Sequence, residues 1–244
     1  MRIEQVTLET CGQASGPVVV IDVLRAFTTA AFAFAAGARE IVLVGAVEEA
    51  LALRERLPGA LLMGEVGGLA VGGFDFDNSP ATLVGRDLRG ARLIQRTSAG
   101  TQGVVRSLRA ELLLASSFVC AGATARYLRR HAPASVTFVI TGNYFASGGA
   151  APPGGGYPAD MRGDGDEDAA CADYLAELLR GAAPEPAPFL RRVRDSPPGR
   201  IFADLARPEF PAEDLGYCTD LDRFDFAMLV ERRGGLLRMT PVAA

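Results

Sequence analysis

The stretch VVVIDVLRAFTTAAFAFAA, residues 18–36, decides the fold. It starts as an uninterrupted run of β-branched residues ending in a carboxylate, Asp22. After a short polar break at Arg25 it becomes an alanine- and phenylalanine-rich segment of helical length. A short apolar run without alternation is the mark of a strand covered on both faces. Four further β-branched or apolar runs repeat the texture: Glu40–Val44, Ala91–Gln95, Glu111–Ala115 and Val136–Thr141. Helical stretches fall between them, at Ala26–Ala36, Val47–Leu57, Gly100–Leu108 and Ala121–His131. In VEEALALRERL the apolar residues 47, 50, 51, 53 and 57 are separated by charges, and Pro58-Gly59 stops the helix. Strand followed by helix, repeated, predicts an α/β protein of three layers, α/β/α, with a mixed, largely parallel central sheet.

The whole chain, 1–244, reads as one such domain. The stretch 145–165 is a glycine- and proline-rich loop, long for a compact domain. A helix from Asp166 to Arg180 follows, then a break at GAAPEPAP. The segment 185–244 closes the fold with a hairpin of Phe224–Val230 and Leu236–Met239.

Composition narrows the chemistry. All 25 basic residues are arginine, and there is one histidine, His131. Without lysine there is no Schiff base and no lysine-bearing phosphate loop. One histidine leaves no multi-histidine metal site. The net charge of -4 argues against nucleic-acid binding. The longest apolar stretch, Ala26–Ala38, spans 13 residues, short of the roughly 20 that cross a bilayer. The four cysteines, at 11, 120, 171 and 218, lack metal-ligand spacing and read as reduced thiols of a cytoplasmic protein. His131, behind Arg129-Arg130, reads as a helix-end cation.

Ligands of such sheets bind beyond the carboxyl ends of the strands. Asp22, Glu65, Arg96-Thr97-Ser98, Ser116-Ser117 and Thr141-Gly142 all follow a predicted strand. In DVLRAFTT, Asp22 is an acid or metal ligand, Arg25 an anion clamp, and Thr28 and Thr29 donors at a helix start. The plain alternative makes Asp22 a helix cap and Arg25 its surface ion-pair partner. In GEVGG and GGFDFDNSP, Glu65 is a second carboxylate at a strand end, while Asn78-Ser79-Pro80 has the form of a helix start with Asn78 or Ser79 as cap. In QRTSAGTQG, hydroxyls and glycines can wrap an oxyanion, or make an ordinary polar loop. Residues 160–168 hold five acids, either a site of oxygen ligands for Mg²⁺ or Ca²⁺ or a solvated helix start. Two further matches carry less. Cys120 to Arg126 fits the C-x5-R phosphate loop but has one glycine, and DFDNS lacks the apolar strand that should precede an aspartyl nucleophile.

Together DVLRAFTT, GEVGGLAVGGFDFDNSP, QRTSAGTQG and GDEDAACA, in this order, with the closing YCTDLDRFD, resemble the 2-phosphosulfolactate phosphatase family. The likeness spans roughly residues 15–235. It implies a Mg²⁺-dependent phosphatase that hydrolyses 2-phospho-3-sulfolactate to 3-sulfolactate and phosphate, a step toward coenzyme M. It also implies an oligomer, a dimer first of all. Asp22, Arg25, Thr28 and Thr29 match the first motif, Glu65 and Asn78 the second, and Thr97, Gly100 and Thr101 the third. Ser117 falls in a fourth matching segment, and Glu167 and Asp168 match the acidic pair that opens the later helix. Departures are Arg96 for a threonine, Ala99 for an asparagine, and Cys120 near a usual asparagine. Under this resemblance Asp22, Glu65, Glu167 and Asp168 hold Mg²⁺, one carboxylate among Asp22, Glu65 and Asp168 serves as base, and Arg25 and Arg96 stabilise the phosphoryl group. Two other functions suit the same residues: a non-catalytic binder of a small phosphorylated or sulfonated metabolite, and a cysteine phosphatase through Cys120 and Arg126.

Overall fold

The computed structural model describes residues 1–142, 165–204 and 206–244. The loop proposed at 145–165 lies, but for Gly165, outside the described residues, and so do Asp160 and Asp164 of the acidic cluster.

Among the described residues ten strands form one sheet, in the order β1 (Arg2–Thr7), β8 (Ser135–Ile140), β2 (Gly16–Ile21), β7 (Ala110–Ser116), β9 (Phe226–Arg233), β10 (Leu236–Ala243), β3 (Glu40–Leu43), β6 (Arg92–Arg96), β4 (Leu61–Val66), β5 (Leu69–Ala70). β2 (Gly16–Ile21) is the predicted strand of the opening stretch, and Asp22 is the first residue beyond it. It lies between β7 (Ala110–Ser116) and β8 (Ser135–Ile140), parallel to both. β1 (Arg2–Thr7) adds to β8 in the same direction. A second parallel block consists of β3 (Glu40–Leu43), β6 (Arg92–Arg96) and β4 (Leu61–Val66), with the two-residue β5 (Leu69–Ala70) antiparallel at its edge.

The hairpin of β9 (Phe226–Arg233) and β10 (Leu236–Ala243) joins the blocks. β9 pairs antiparallel with β7, and β10 antiparallel with β3. The predicted closing hairpin is therefore the middle of the sheet, and the two parallel blocks run in opposite directions.

Period-two alternation divides the core. Val18 and Val20 face the cluster containing α1 (Ala26–Ala35) and Val104 of α3 (Gly100–Arg106). Val19 and Ile21 face the cluster built on α4 (Ala121–His131) and α5 (Asp166–Leu179). Ile41 and Val42 separate likewise, Val42 packing with Ala50 and Leu53 of α2 (Val47–Arg56). Helices thus cover both faces, and the predicted three layers are present. α1 is buried from Ala26 through Phe34, which explains a composition apolar all round.

α3 follows β6 yet packs against β2 of the other block. A Cβ at Gly100 would lie 2.7 Å from Asp22 Oδ2, so only glycine lets the helix approach so closely. Through this approach the carboxyl ends of both blocks meet at one place. α6 (Ala187–Asp195), α7 (Pro197–Ile201) and α8 (Ala212–Cys218) complete the chain before the hairpin.

Candidate active site

Where β2 ends, Asp22 Oδ1 accepts the Ala26 N–H at 2.9 Å and caps the first turn of α1. The plain reading of Asp22 as a cap therefore holds only in that Oδ1 takes the first N–H of the helix, whose N-cap position is Arg25. It fails for Arg25, which is buried and does not pair with Asp22. Its Nη1 donates to Asp214 Oδ2 at 2.8 Å, and its Nη2 to the Gly68 carbonyl at 3.1 Å. The guanidinium carbon lies 5.2 Å from the ring centres of both Phe202 and Phe210, close enough for a cation–π contact with each. The Leu24–Arg25 peptide is cis.

Glu65 is held from the other block. Its Oε2 accepts the Gly68 N–H at 2.6 Å and the Ser98 hydroxyl at 3.1 Å, and Oε1 accepts the Ser98 N–H. Arg96, fully buried, donates Nη1 to the Glu65 carbonyl at 2.7 Å and so fixes the backbone of that strand end.

Asp168, on the first turn of α5, ties together the ends of β2 and β8. Its Oδ1 accepts the Val23 N–H at 2.8 Å. Its Oδ2 accepts the Gly142 N–H at 2.8 Å, the Thr141 hydroxyl at 3.0 Å and the Thr141 N–H at 3.2 Å. Glu167 and Asp168 are both buried, so of the two readings the solvated helix start fails for this pair. Asp166, beside them, is the partly exposed member and pairs with Arg192.

Asp22, Arg25, Glu65, Asn78, Glu167 and Asp168 line one recess, with Gly68, Ala99, Thr141, Gly142 and an apolar wall of Leu24, Pro198, Phe202 and Phe210. Asn78 is buried, and its Oδ1 has no hydrogen-bond partner among the described residues. The charges in the recess do not balance. Burial, then the neighbouring charge of Asp168, pushes the Asp22 carboxyl up to about 8. Burial, then Glu167, pushes Asp168 up to about 7. Among the described residues, no cation offsets the burial and the like charge that raise these two carboxyls.

Seven other sequence candidates stand behind the recess. Thr28 donates its hydroxyl to the Val23 carbonyl, and Thr29 is buried in α1. Thr97 and Thr101 bond each other and cap α3, the Thr101 hydroxyl donating to the Thr97 carbonyl at 2.9 Å. Gly100 supports Asp22, Arg96 supports Glu65, and Ser117 is buried beyond the end of β7. Ser79 is no helix cap. Its hydroxyl donates to Asp214 at 2.7 Å, and only a 3-10 turn, Ala81–Leu83, follows.

The geometry speaks against the Cys120–Arg126 phosphate loop. Burial raises the Cys120 thiol above its ordinary value, so the nucleophilic thiolate is disfavoured. Arg126 is exposed and pairs with Asp225. All four cysteines are buried and free.

Among the described residues no three acidic, cysteine or histidine groups converge as a metal cage. The donors nevertheless fit magnesium, which takes one or two carboxylates and completes its shell with water and substrate phosphate. Asp22 has an oxygen beyond its cap bond, and the uncompensated negative charge favours a cation.

Asp214, Phe202 and Phe210 escaped the sequence reading. Asp214 occupies the first turn of α8, where an acid is ordinary. Only its complete burial marks it out, and no local pattern signals that.

A family model described as 2-phosphosulpholactate phosphatase matches residues 4–233. A protein of Bacillus subtilis named probable 2-phosphosulfolactate phosphatase is 34% identical over 217 residues, 88% of this chain and 87% of that protein. A Gloeobacter violaceus protein of the same name is 31% identical over 84% of each chain. One from Carboxydothermus hydrogenoformans is 47% identical over 46% of each. The ordered motifs, the length of the match and the single recess into which the matched acids converge agree: this chain belongs to the 2-phosphosulfolactate phosphatase family.

Proposed function

We propose that this chain is a Mg²⁺-dependent phosphatase acting on a small anionic phosphate monoester, and that the substrate is 2-phospho-3-sulfolactate. The observation that carries the reading is the convergence of Asp22, Glu65, Glu167 and Asp168 with Arg25 in one recess. The names of the relatives support the substrate.

Asp22, with Glu167, would hold the cation, and water and substrate phosphate would complete its shell. Magnesium, when bound there, supplies positive charge to the phosphoryl oxygens. Arg25 is the arginine that meets the phosphate, since the other candidate, Arg96, lies behind Glu65. In the reaction the oxygen of water bonds to phosphorus while the ester P–O bond breaks. Its electron pair goes to the alcohol oxygen, which ends with the proton that water lost. Glu65, oriented by the Gly68 and Ser98 donors, takes that proton first. Asn78 orients the substrate.

The test is phosphate release from 2-phospho-3-sulfolactate and simpler monoesters, with Mg²⁺ or with EDTA. Wild type should turn over only with the cation. Arg25→Ala should lose about 100- to 1000-fold in kcat, and Asp22→Asn at least as much. Undiminished release in EDTA would overturn the metal, and full activity in both variants would overturn the site.

A further inference from the structure

Asp214 is 0% exposed and belongs to none of the sequence motifs that match the family. It collects three donors from two distant parts of the chain. Arg25 Nη1 donates to Oδ2 at 2.8 Å, while Oδ1 accepts the Ser79 hydroxyl at 2.7 Å and the Ala81 N–H at 3.0 Å. Arg25 and Asn78, the residue before Ser79, both line the recess, whereas Asp214 does not. The carboxylate therefore sits behind two polar groups of the site and is bonded to the segments that carry them.

The surroundings of Arg25 have the same form. Its Nη2 is bonded to the Gly68 carbonyl, and Phe202 and Phe210 contact the guanidinium. Those rings pack with Ile201, Leu24 and Leu215, the residue after Asp214. A guanidinium has five N–H donors. The hydrogen bonds to Asp214 and Gly68 engage two of them, so the fork keeps donors for a ligand in the recess. A buried ion pair is a poor stabiliser compared with packed apolar groups, because desolvation offsets most of its attraction. Beside a recess, its effect is to fix the direction of the fork. Without Asp214, the flexible Arg25 side chain could turn toward the excess carboxylates of the recess.

We propose that Asp214 is a positioning residue: held in place by Ser79 and the Ala81 N–H, it acts through Arg25 to aim the donors that receive the phosphoryl group. α8 and the phenylalanine pair thereby become part of the active site, although no sequence motif marks them. The assignment rests on the reading of the recess as a phosphatase site in which Arg25 meets the phosphate.

The experiment is a double-mutant cycle on the full chain. Steady-state phosphate release from 2-phospho-3-sulfolactate with Mg²⁺ is measured for wild type, Asp214→Asn, Arg25→Ala and the double variant, with melting curves for each. A misaimed side chain costs on the order of 100-fold, so Asp214→Asn should lower kcat/KM by about 10- to 100-fold. The loss should fall mainly in kcat, because the contact matters most as charge develops on the phosphoryl oxygens. In the Arg25→Ala background the same substitution should change kcat/KM less than about 2-fold. Equal losses in both backgrounds would make Asp214 merely structural and overturn the assignment.

Should Asp214→Asn fail to fold, Ser79→Ala takes its place. It removes one donor and leaves the ion pair, and about a 3- to 10-fold loss confined to the Arg25 background is expected. An unchanged Ser79→Ala enzyme would then overturn the assignment. The two readings separate cleanly. If Arg25→Ala cripples the enzyme and Asp214→Asn does not, Asp214 loses its role while the phosphatase site stands. If Arg25→Ala equals wild type, the site reading falls and the assignment with it.

Discussion

Glu40 and Asp22 are both buried carboxylates at the ends of strands, and their surroundings are opposites. Glu40 is met by Arg92 at 2.5 Å, Arg238 at 2.6 Å and Arg39 at 3.4 Å. It joins β3 to its neighbours β6 and β10. Burial alone would raise its carboxyl, but the hydrogen bonds from Arg238 and Arg92 outweigh it, and the net shift is downward. Asp22 shares its recess with Glu65, Glu167 and Asp168, and the single arginine among the recess-lining residues is already matched by Asp214. Its shift is upward. One cluster ties the second block to the hairpin and surrounds its carboxylate with positive charge. The other concentrates negative charge that the described residues leave uncancelled. Such imbalance is tolerated where a ligand supplies the missing charge.

The largest test of this contrast is pH. A carboxyl whose folded pKa is raised binds more protons in the folded state than in the unfolded one, so stability falls as pH rises through that interval. For Asp22 the interval runs from 3.8, its ordinary value, to about 8, and for Asp168 from 3.8 to about 7. The pair titrates jointly, and each proton is worth up to about 1.4 kcal/mol per pH unit. Metal-free protein should therefore melt several degrees lower at pH 8 than at pH 6. Asp22→Asn should flatten the dependence. Mg²⁺ should raise the melting temperature more at pH 8, because it binds the ionised form. Melting curves at both pH values, with EDTA or Mg²⁺, read all three effects, and a metal-free protein more stable at pH 8 would remove the claim of uncompensated charge.

Glu40 gives the opposite sign and a smaller size. Its lowered carboxyl adds stability above the ordinary carboxylate range, and that stability disappears as pH falls through the folded value. Glu40→Gln should cost about 1–3 kcal/mol near neutral pH, since it leaves Arg92 and Arg238 with weaker acceptors. Phosphate release by the folded variant should stay at the wild-type rate. A large kcat loss in a normally stable Glu40→Gln protein would mean that the two clusters are coupled.

What could be read from the chain follows the range of the interaction. Residues 18–36 announce strand and helix because their apolar pattern is local. β1 was missed because RIEQVT is a mostly exposed strand at the sheet edge, without a clean alternation. The hairpin is legible from its two apolar runs around Arg233-Gly234-Gly235, but its place in the sheet is not. Its position depends on β9 meeting β7 and β10 meeting β3, pairings between residues more than 100 positions apart. The site divides in the same way. Asp22, Glu65 and Asp168 were legible as acids beside strand ends or a helix start. Thr28, Thr97 and Thr101 carry the right chemistry at the right spacing but turn their hydroxyls inward to backbone or to each other. Asp214 looks like an ordinary first-turn acid, and only long-range contacts bury it.

The smallest expected effect distinguishes sequence pattern from structure most directly. Cys120 and Arg126 have the spacing of a phosphate loop, yet the thiol is buried and its nearest polar partners are Ser117, Ser116 and Thr124. Arg126 faces solvent beside Asp225. Neither residue lines the recess. Cys120→Ser should leave kcat and KM within about 2-fold of wild type. Its cost should be stability alone, on the order of 1 kcal/mol for a hydroxyl in place of a buried thiol. Arg126→Ala should be close to neutral, because exposed ion pairs contribute little. If phosphate release instead vanished in a folded Cys120→Ser protein while that of wild type persisted in EDTA, the catalytic centre would lie at the thiol. The excess carboxylates of the recess would then need another explanation.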